Sequence, residues 1–393
     1  MKESEQIRSV IKMIKSVTGA MHQRRISMED IQNIQMAAGE LNRMLYHSER
    51  LKFQKTYDLR VDSEYDRYVC EIEQLTALWE QSLERRAGIM ADRGFWELYE
   101  YFKYVGADTI YQSVVDRFRN LPEGMRIEFL SLRHRYLFLQ NGIDYTQNDF
   151  SLIRQHVDLM EREVENYRWL YGRLSDYRSK LVLNGIIRYW FRFDIQELHR
   201  LSEGAFLDYF DLDILQCDEN EVIADLGAYT GDSVLGYIRA YGTYKRIYAY
   251  EPDPSNYQKL VQNVGKLPDV VMRQRGVCDK PGILYMDGTA GSAGGKILDQ
   301  GSREIAVTSL DEDIQEPLSI IKMDIEGAEK DAIRGASSHI RSEKPRLLIS
   351  TYHIPEDIFE IPRLISDMRE DYRFYMRLNG RGIWPCDYVL FAI

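Results

Sequence analysis

Apolar residues in the first part of the chain recur at spacings of three and four. Tyr65, Tyr68, Val69, Ile72, Leu75, Leu78, Trp79 and Leu83 form one such stripe, behind Asp62 and Ser63 as helix caps. Leu152, Ile153, Val157, Met160, Val164, Tyr167 and Tyr171 form another, behind Asp149. Between them, FWELYEYFKYVGADTIYQSVVDRF predicts two shorter helices broken near Gly106. Stripes of this kind bury against one another, so residues 1–165 are expected to form an all-α domain for interaction, acceptor recognition or dimerisation. In its first segment Ile7, Val10, Ile11, Ile14 and Val17 share a face, with Lys2, Arg8, Lys12 and Lys15 around it. Residues 1–20 can therefore touch a membrane surface, or dock on their own domain or on a second subunit.

After about Asp211 the period changes. EVIADLG, RIYAYEPD, VVMRQRGVCD, LSIIKMDIE and RLLISTY are short apolar or β-rich runs. Helical patterns such as GDSVLGYIRAY, SNYQKLVQNVG and GAEKDAIRGASSHIRSE separate most of them. Strand alternating with helix predicts βαβ units and a parallel sheet. The tail, YRFYMRLNGRGIWPCDYVLFAI, predicts two strands and a Gly-containing loop, a hairpin that adds one antiparallel strand. Residues 166–393 are thus expected to form an α/β domain, with a helical lead-in to about 215.

Composition narrows the function. The 393 residues carry a net charge of -11, which argues against nucleic acid as the main partner. Cys70, Cys217, Cys278 and Cys386 are scattered without a CxxC pair, so neither a disulfide framework nor a zinc site is expected. The first residues, MKESEQIRSV, lack the apolar core of a signal peptide, and no apolar run approaches the ~20 residues of a membrane span. A cytoplasmic protein is expected.

The stretch IADLGAYTGDS carries the first candidate chemistry. A dinucleotide site wants G-x-G-x-x-G, but Asp232 stands where the third glycine would be, and a carboxylate there would face pyrophosphate. S-adenosylmethionine has no phosphate. It needs an acid for its ammonium group and a donor-rich turn for its carboxylate, which Asp225 and the Gly227–Tyr229–Gly231 turn can supply. Glu251, followed by Pro252, ends the second strand and can accept from both ribose hydroxyls, as an acid does in NAD enzymes too. Val277 can pack on adenine. Asp279 either accepts from the adenine amine or caps the turn before Pro281.

ADLGAYTGDS, YAYEPDPSNYQKLVQN, VTSLDE, IIKMDIEGAEKDAIRGA and ISTYHIPEDIFEIPRLI, in this order and spacing, resemble the FkbM family of S-adenosylmethionine-dependent methyltransferases over roughly residues 165–393. The resemblance implies a class I, Rossmann-like fold with a seven-stranded sheet. It implies methyl transfer to a hydroxyl oxygen on sugars of glycans or on secondary metabolites, leaving S-adenosylhomocysteine. It implies a cofactor set of Asp225, Gly227, Gly231, Glu251 and Asp279. The tail departs from the family: Asn379 and Asp387 stand where a histidine-rich stretch and a glutamate are common.

Ligands of open α/β sheets sit beyond the carboxyl ends of the strands. Strand four delivers Lys322, Asp324 and Glu326 to that edge, and strand five delivers His353. An alcohol needs alignment and a base, and His353 titrates near neutrality, so His353 is expected as base and Asp324 beside the reacting oxygen. His353 can instead cap a strand end. Asp324 and Glu326 can converge on Mg²⁺, or Glu326 can cap the next helix. DGTAGSAGGK is expected as a loop or hairpin near the cofactor, and YRWLYGRLSDY either stacks on a sugar or packs between domains. The expected function is O-methylation of a small-molecule or glycan acceptor by a possible homodimer. The alternative is a non-catalytic scaffold on the same fold, and a dehydrogenase comes third.

Overall fold

The computed structural model describes residues 90–135, 143–287, 296–298, 303–380 and 385–393. The stripes at 7–17 and 65–83 lie outside them. The chain divides into two compact units, residues 1–116 with 160–164, and residues 117–159 with 165–393. In the first unit the helix Met90–Tyr104 buries Phe95, Leu98, Tyr99 and Phe102. It stops before Gly106, and Glu161 caps the next helix, Ala107–Arg119, by accepting from Ala107 N at 3.2 Å.

The second unit is built on a seven-stranded sheet. Its strands are β1 (Val222–Leu226), β2 (Arg246–Tyr250), β3 (Val270–Arg273), β8 (Ile320–Met323), β9 (Arg346–Ser350), β10 (Phe374–Leu378) and β11 (Tyr388–Ala392). They lie in the order β10-β11-β9-β8-β1-β2-β3. All neighbouring pairs are parallel except those of β11, which runs antiparallel to both β9 and β10. The expected class I methyltransferase sheet and its closing hairpin are thus observed. β11 reads as a continuous apolar run because both its faces are covered, and all five residues are buried.

The run VVMRQRGVCD does not form one strand. β3 ends at Arg273, and β4 (Gly276–Val277) leaves the main sheet to pair with β7 (Arg303–Thr308). β5 (Gly282–Asp287) and β6 (Lys296–Leu298) complete a second, four-stranded sheet, order β4-β7-β5-β6. β5 and β6 pair antiparallel, so the strands flanking the Gly/Ala-rich stretch form a hairpin whose tip lies outside the described residues.

β10 is an edge strand, and the helical lead-in covers it. Ser175 N donates to Phe374 O and Met376 N to Ser179 Oγ, both at 2.8 Å. Arg377 on β10 is buried, with Nε 2.6 Å from Asp211 Oδ2 and Nη2 2.8 Å from Asp176 Oδ2. Asp176 also caps the helix Tyr177–Arg192 by accepting from Ser179 N at 2.7 Å. One guanidinium therefore ties the lead-in helices, the segment before β1 and the sheet edge together. Pairing the edge backbone this way also blocks its growth by strand addition. Among the described residues no helix is long and apolar enough to cross a membrane.

Replacing Arg377 by leucine leaves Asp211 charged, buried and unpaired. The expected loss is about 3–5 kcal/mol of unfolding free energy in a urea titration. A midpoint unchanged from wild type would show that this ion pair does not hold the lead-in on the sheet.

Candidate active site

β1 ends in Asp225, and the chain then turns toward the helix Asp232–Tyr241. Gly227 has φ +75°, and a Cβ there would lie 2.0 Å from the backbone oxygen of Asp324, so no other residue fits without moving β1 from β8. Tyr229 also takes a left-handed backbone, φ 46°. Asp225 is buried beneath this turn. Ser233 Oγ donates to its Oδ2 at 2.5 Å, and Lys322 Nζ lies 3.1 Å from its Oδ1. Lys322 also donates to the carbonyl of Gly227 at 2.8 Å. Burial alone would lower the lysine pKa, but Asp225 and neighbouring acids raise it above the usual value.

Over the turn lies a cavity of about 420 Å³, lined by Gly227, Tyr229, Glu251, Pro252 and Val277, among others. Five of the eight expected cofactor residues thus share one cavity. Asp225, Gly231 and Asp279 do not line it. Asp225 departs from expectation because its charge is taken up by Lys322; Gly231 caps the helix instead, and Asp279 accepts from Cys278 Sγ at 3.4 Å. Besides Glu251, the acids that face the cavity are Asp208, Asp232, Asp324 and Glu326. Burial first raises Asp208 and Asp232 above the usual carboxylate range; Asp387, Asp232 and Asp324 add to it for Asp208, and Asp225 and Asp324 add to it for Asp232 against the pull of Lys322.

Glu251 is buried, and each of its oxygens accepts one backbone N–H, from Asp253 at 2.8 Å and from Tyr229 at 3.0 Å. Burial pushes its carboxyl up to about 7, against the pull of those two N–H groups and of Lys322. A carboxylate oxygen has more than one lone pair, so hydroxyl donors can still reach this group from the cavity.

Asp324 follows β8. Its Oδ2 accepts from Tyr209 Oη at 2.9 Å, and Tyr209 Oη lies 3.0 Å from Ser350 Oγ. Burial opposes its charge, but Lys322, His353 and the hydroxyls hold its carboxyl below the usual value. Burial raises Glu326 to about 7. Glu326 does not cap the next helix, Glu329–Gly335, whose N-cap residue is Ala328 with no side-chain cap, and Glu329 Oε1 accepts from Ile325 N at 2.9 Å. His353 is buried, with Nδ1 3.0 Å from Glu329 Oε1 and Nε2 3.4 Å from Asp324 Oδ1. Burial disfavours its charge, yet Glu329, Glu326 and Asp324 outweigh burial and lift it to about 10. Beside these three carboxylates the imidazole holds its second proton near neutrality, unless another cation takes the proton's place at Nε2. It also lines a second cavity of about 280 Å³, with His156, Trp190 and Tyr352, rather than the first. The expectation of His353 as base therefore meets a physical obstacle that strand position could not reveal.

Sequence reasoning missed Tyr209 and Asp208. They lie in DYFDLDIL, which resembles the lead-in some FkbM members carry but has no period that assigns a role to either residue. The aromatic YRWLYGRLSDY packs inward: Tyr167 meets Phe359 edge to face at 5.4 Å, and Trp169 lies under Arg363.

A family model, the methyltransferase FkbM domain, matches residues 225–376. The chain is similar to the hexuronic acid methyltransferase AglP of Haloferax volcanii, 23% identical over 213 residues, which is 51% of this chain and 86% of that protein. It is also similar to the crystal structure of a methyltransferase FkbM from Methylobacillus flagellatus KT, with 24% identity and a TM-score of 0.52 over 61% of this chain. It spans 62% of the length of that structure, and the likeness shows the fold.

The position of Glu251 has a measurable consequence. A ribose diol donates to the ionised carboxylate, so affinity for S-adenosylhomocysteine should rise as pH increases through about 7. Glu251→Gln should lower that affinity by about tenfold or more and flatten its pH dependence. Calorimetry between pH 6 and 8 checks both, and a wild-type affinity independent of pH would contradict the ribose assignment.

Proposed function

We propose, from the match of the methyltransferase FkbM domain model to residues 225–376, that the chain transfers a methyl group from S-adenosylmethionine to a hydroxyl oxygen of a sugar, in a glycan or a glycosylated metabolite. The observation that carries this reading is one cavity in which the Gly227 turn and Glu251 meet Asp324 and Glu326. The residues fit the cofactor. Gly227 leaves room that a side chain would fill, Glu251 keeps acceptor capacity for a diol, and Val277 and Pro252 offer apolar walls for adenine. Asp208 and Asp232 provide the negative charge a cationic ligand requires, the part once expected of Asp225.

S-adenosylmethionine, when bound, supplies an electrophilic methyl on a sulfonium. The chain's task is then to aim an oxygen and remove its proton. Asp324 faces the cavity, and Tyr209 Oη holds its Oδ2 at 2.9 Å. A carboxylate fixed in this way can accept the acceptor's hydroxyl hydrogen bond and orient its lone pair. Asp324 would take the hydroxyl proton as the oxygen bonds the methyl carbon and the carbon–sulfonium bond breaks, leaving S-adenosylhomocysteine as the neutral thioether. A weak base suffices, because the alcohol becomes acidic as its oxygen bonds carbon. His353 supports Asp324 from 3.4 Å rather than taking the proton itself. The similarity to a hexuronic acid methyltransferase supports a sugar acceptor. Arg239 and Arg275 line the cavity as counter-charges for a carboxylate, of the cofactor or of an acidic sugar.

The test is transfer of isotope-labelled methyl to a panel of neutral and acidic glycosides. Asp324→Asn should lower turnover by about 10²–10⁴-fold while leaving S-adenosylhomocysteine affinity within about threefold. Full turnover in that variant would remove Asp324 from the chemistry. Tight cofactor binding with no transfer to any acceptor would favour a non-catalytic scaffold.

A further inference from the structure

We propose that His353 Nε2, Asp324 Oδ1 and Glu326 Oε2 form a binding site for one first-row divalent cation of the manganese type at the edge of the cofactor cavity. The acceptor-holding role given to it below rests on the methyl-transfer reading; the binding of the ion does not.

The spacing comes first. Asp324, Glu329 and His353 each offer a ligand atom, and these atoms all lie within 4.8 Å of one another; Glu326 is outside that group and enters through its contact with the His353 imidazole. His353 Nε2 is 3.4 Å from Asp324 Oδ1 and 3.6 Å from Glu326 Oε2. Those separations are long for hydrogen bonds. They are short enough for neighbouring ligands that each sit about 2.1 Å from one ion.

The surroundings orient these atoms. Nδ1 of His353 lies 3.0 Å from Glu329 Oε1, the carboxylate–imidazole contact that leaves Nε2 directed at a metal. Glu329 is fully buried, and its Oε2 has no hydrogen-bond partner. A carboxylate so enclosed calls for more positive charge close by. Tyr209 Oη anchors Asp324 Oδ2 at 2.9 Å, while Oδ1 takes longer contacts, 3.4 Å from both Tyr352 Oη and His353 Nε2, so Oδ1 is the oxygen turned to the proposed ion. Glu326 adopts φ 59°, a strained backbone for a residue with a side chain, and this conformation brings its carboxylate toward the imidazole.

Charge points the same way. Asp324, Glu326 and Glu329 surround one imidazole, while Lys322 is engaged by Asp225 and the Gly227 carbonyl and Lys330 by Asp357 and Glu360. One nitrogen and two carboxylate oxygens suit manganese, iron or zinc better than magnesium, which prefers an all-oxygen shell. Asp324 and Glu326 also line the cofactor cavity, so an ion's open positions would face the space into which an acceptor hydroxyl comes.

The experiment is titration of the chelator-treated full chain with Mn²⁺ alone, followed by calorimetry and by electron paramagnetic resonance. S-adenosylhomocysteine affinity is measured in parallel as an independent sign of an intact fold. One Mn²⁺ per chain is expected. Asp324→Asn and His353→Gln should each weaken it at least about tenfold, and Glu329→Gln, through its hold on the ring, by about 10–100-fold. Wild-type protein that binds S-adenosylhomocysteine but no Mn²⁺ would overturn the site. Mn²⁺ uptake unchanged in both Asp324→Asn and His353→Gln would do the same, as would Mg²⁺ binding as tightly as Mn²⁺. Mn²⁺ binding without S-adenosylhomocysteine binding would uphold the site and count against the methyl-transfer reading instead.

Discussion

The buried ammonium of Lys322 joins the two strands on which the rest of the site depends. From β8 it reaches Asp225 at the end of β1 and the carbonyls of Leu226 and Gly227 beyond it. Paired with Asp225, it places a cation where the glycine turn begins. Gly227 can then approach the Asp324 backbone more closely than any side chain would allow. The turn that shapes the cofactor cavity and the strand end that carries Asp324 are thus held by one ion pair, shielded from water and therefore little weakened by salt.

A second theme is the excess of acid at this edge of the sheet. Asp208, Asp232, Asp324 and Glu326 face one cavity with few basic partners. Carboxylates so crowded raise one another's pKa, and each added proton weakens the grip on a cation. Such an edge suits a positively charged ligand and would repel a pyrophosphate. The same electrostatics separate Asp324, kept ionised by Lys322 and His353, from Glu326, which burial pushes toward its neutral form.

Much of the fold was legible because it is written locally. Alternating apolar runs and helical stripes marked β1, β2, β8 and β9, and the tail marked the antiparallel β11. Gly227, Glu251 and Val277 were legible as cavity residues because a turn or a strand end places them whatever surrounds them. The features that sequence could not reveal share a different cause. The direction of Asp225 depends on Lys322, distant in sequence and on another strand. The charge of His353 depends on Glu329 and Asp324, which come from the preceding strand and helix. The break between β3 and β4 follows from pairing with β7, not from any local signal. Tyr209 reaches Asp324 from a segment without periodicity.

The central claim is that the cavity above the Gly227 turn takes S-adenosylmethionine rather than a dinucleotide. Equilibrium titration of the purified full chain with S-adenosylhomocysteine, and separately with NAD⁺, tests it most directly. Micromolar binding of S-adenosylhomocysteine with no detectable binding of NAD⁺ is the predicted result. Binding of NAD⁺ with comparable affinity, or of neither by a folded protein, would contradict it.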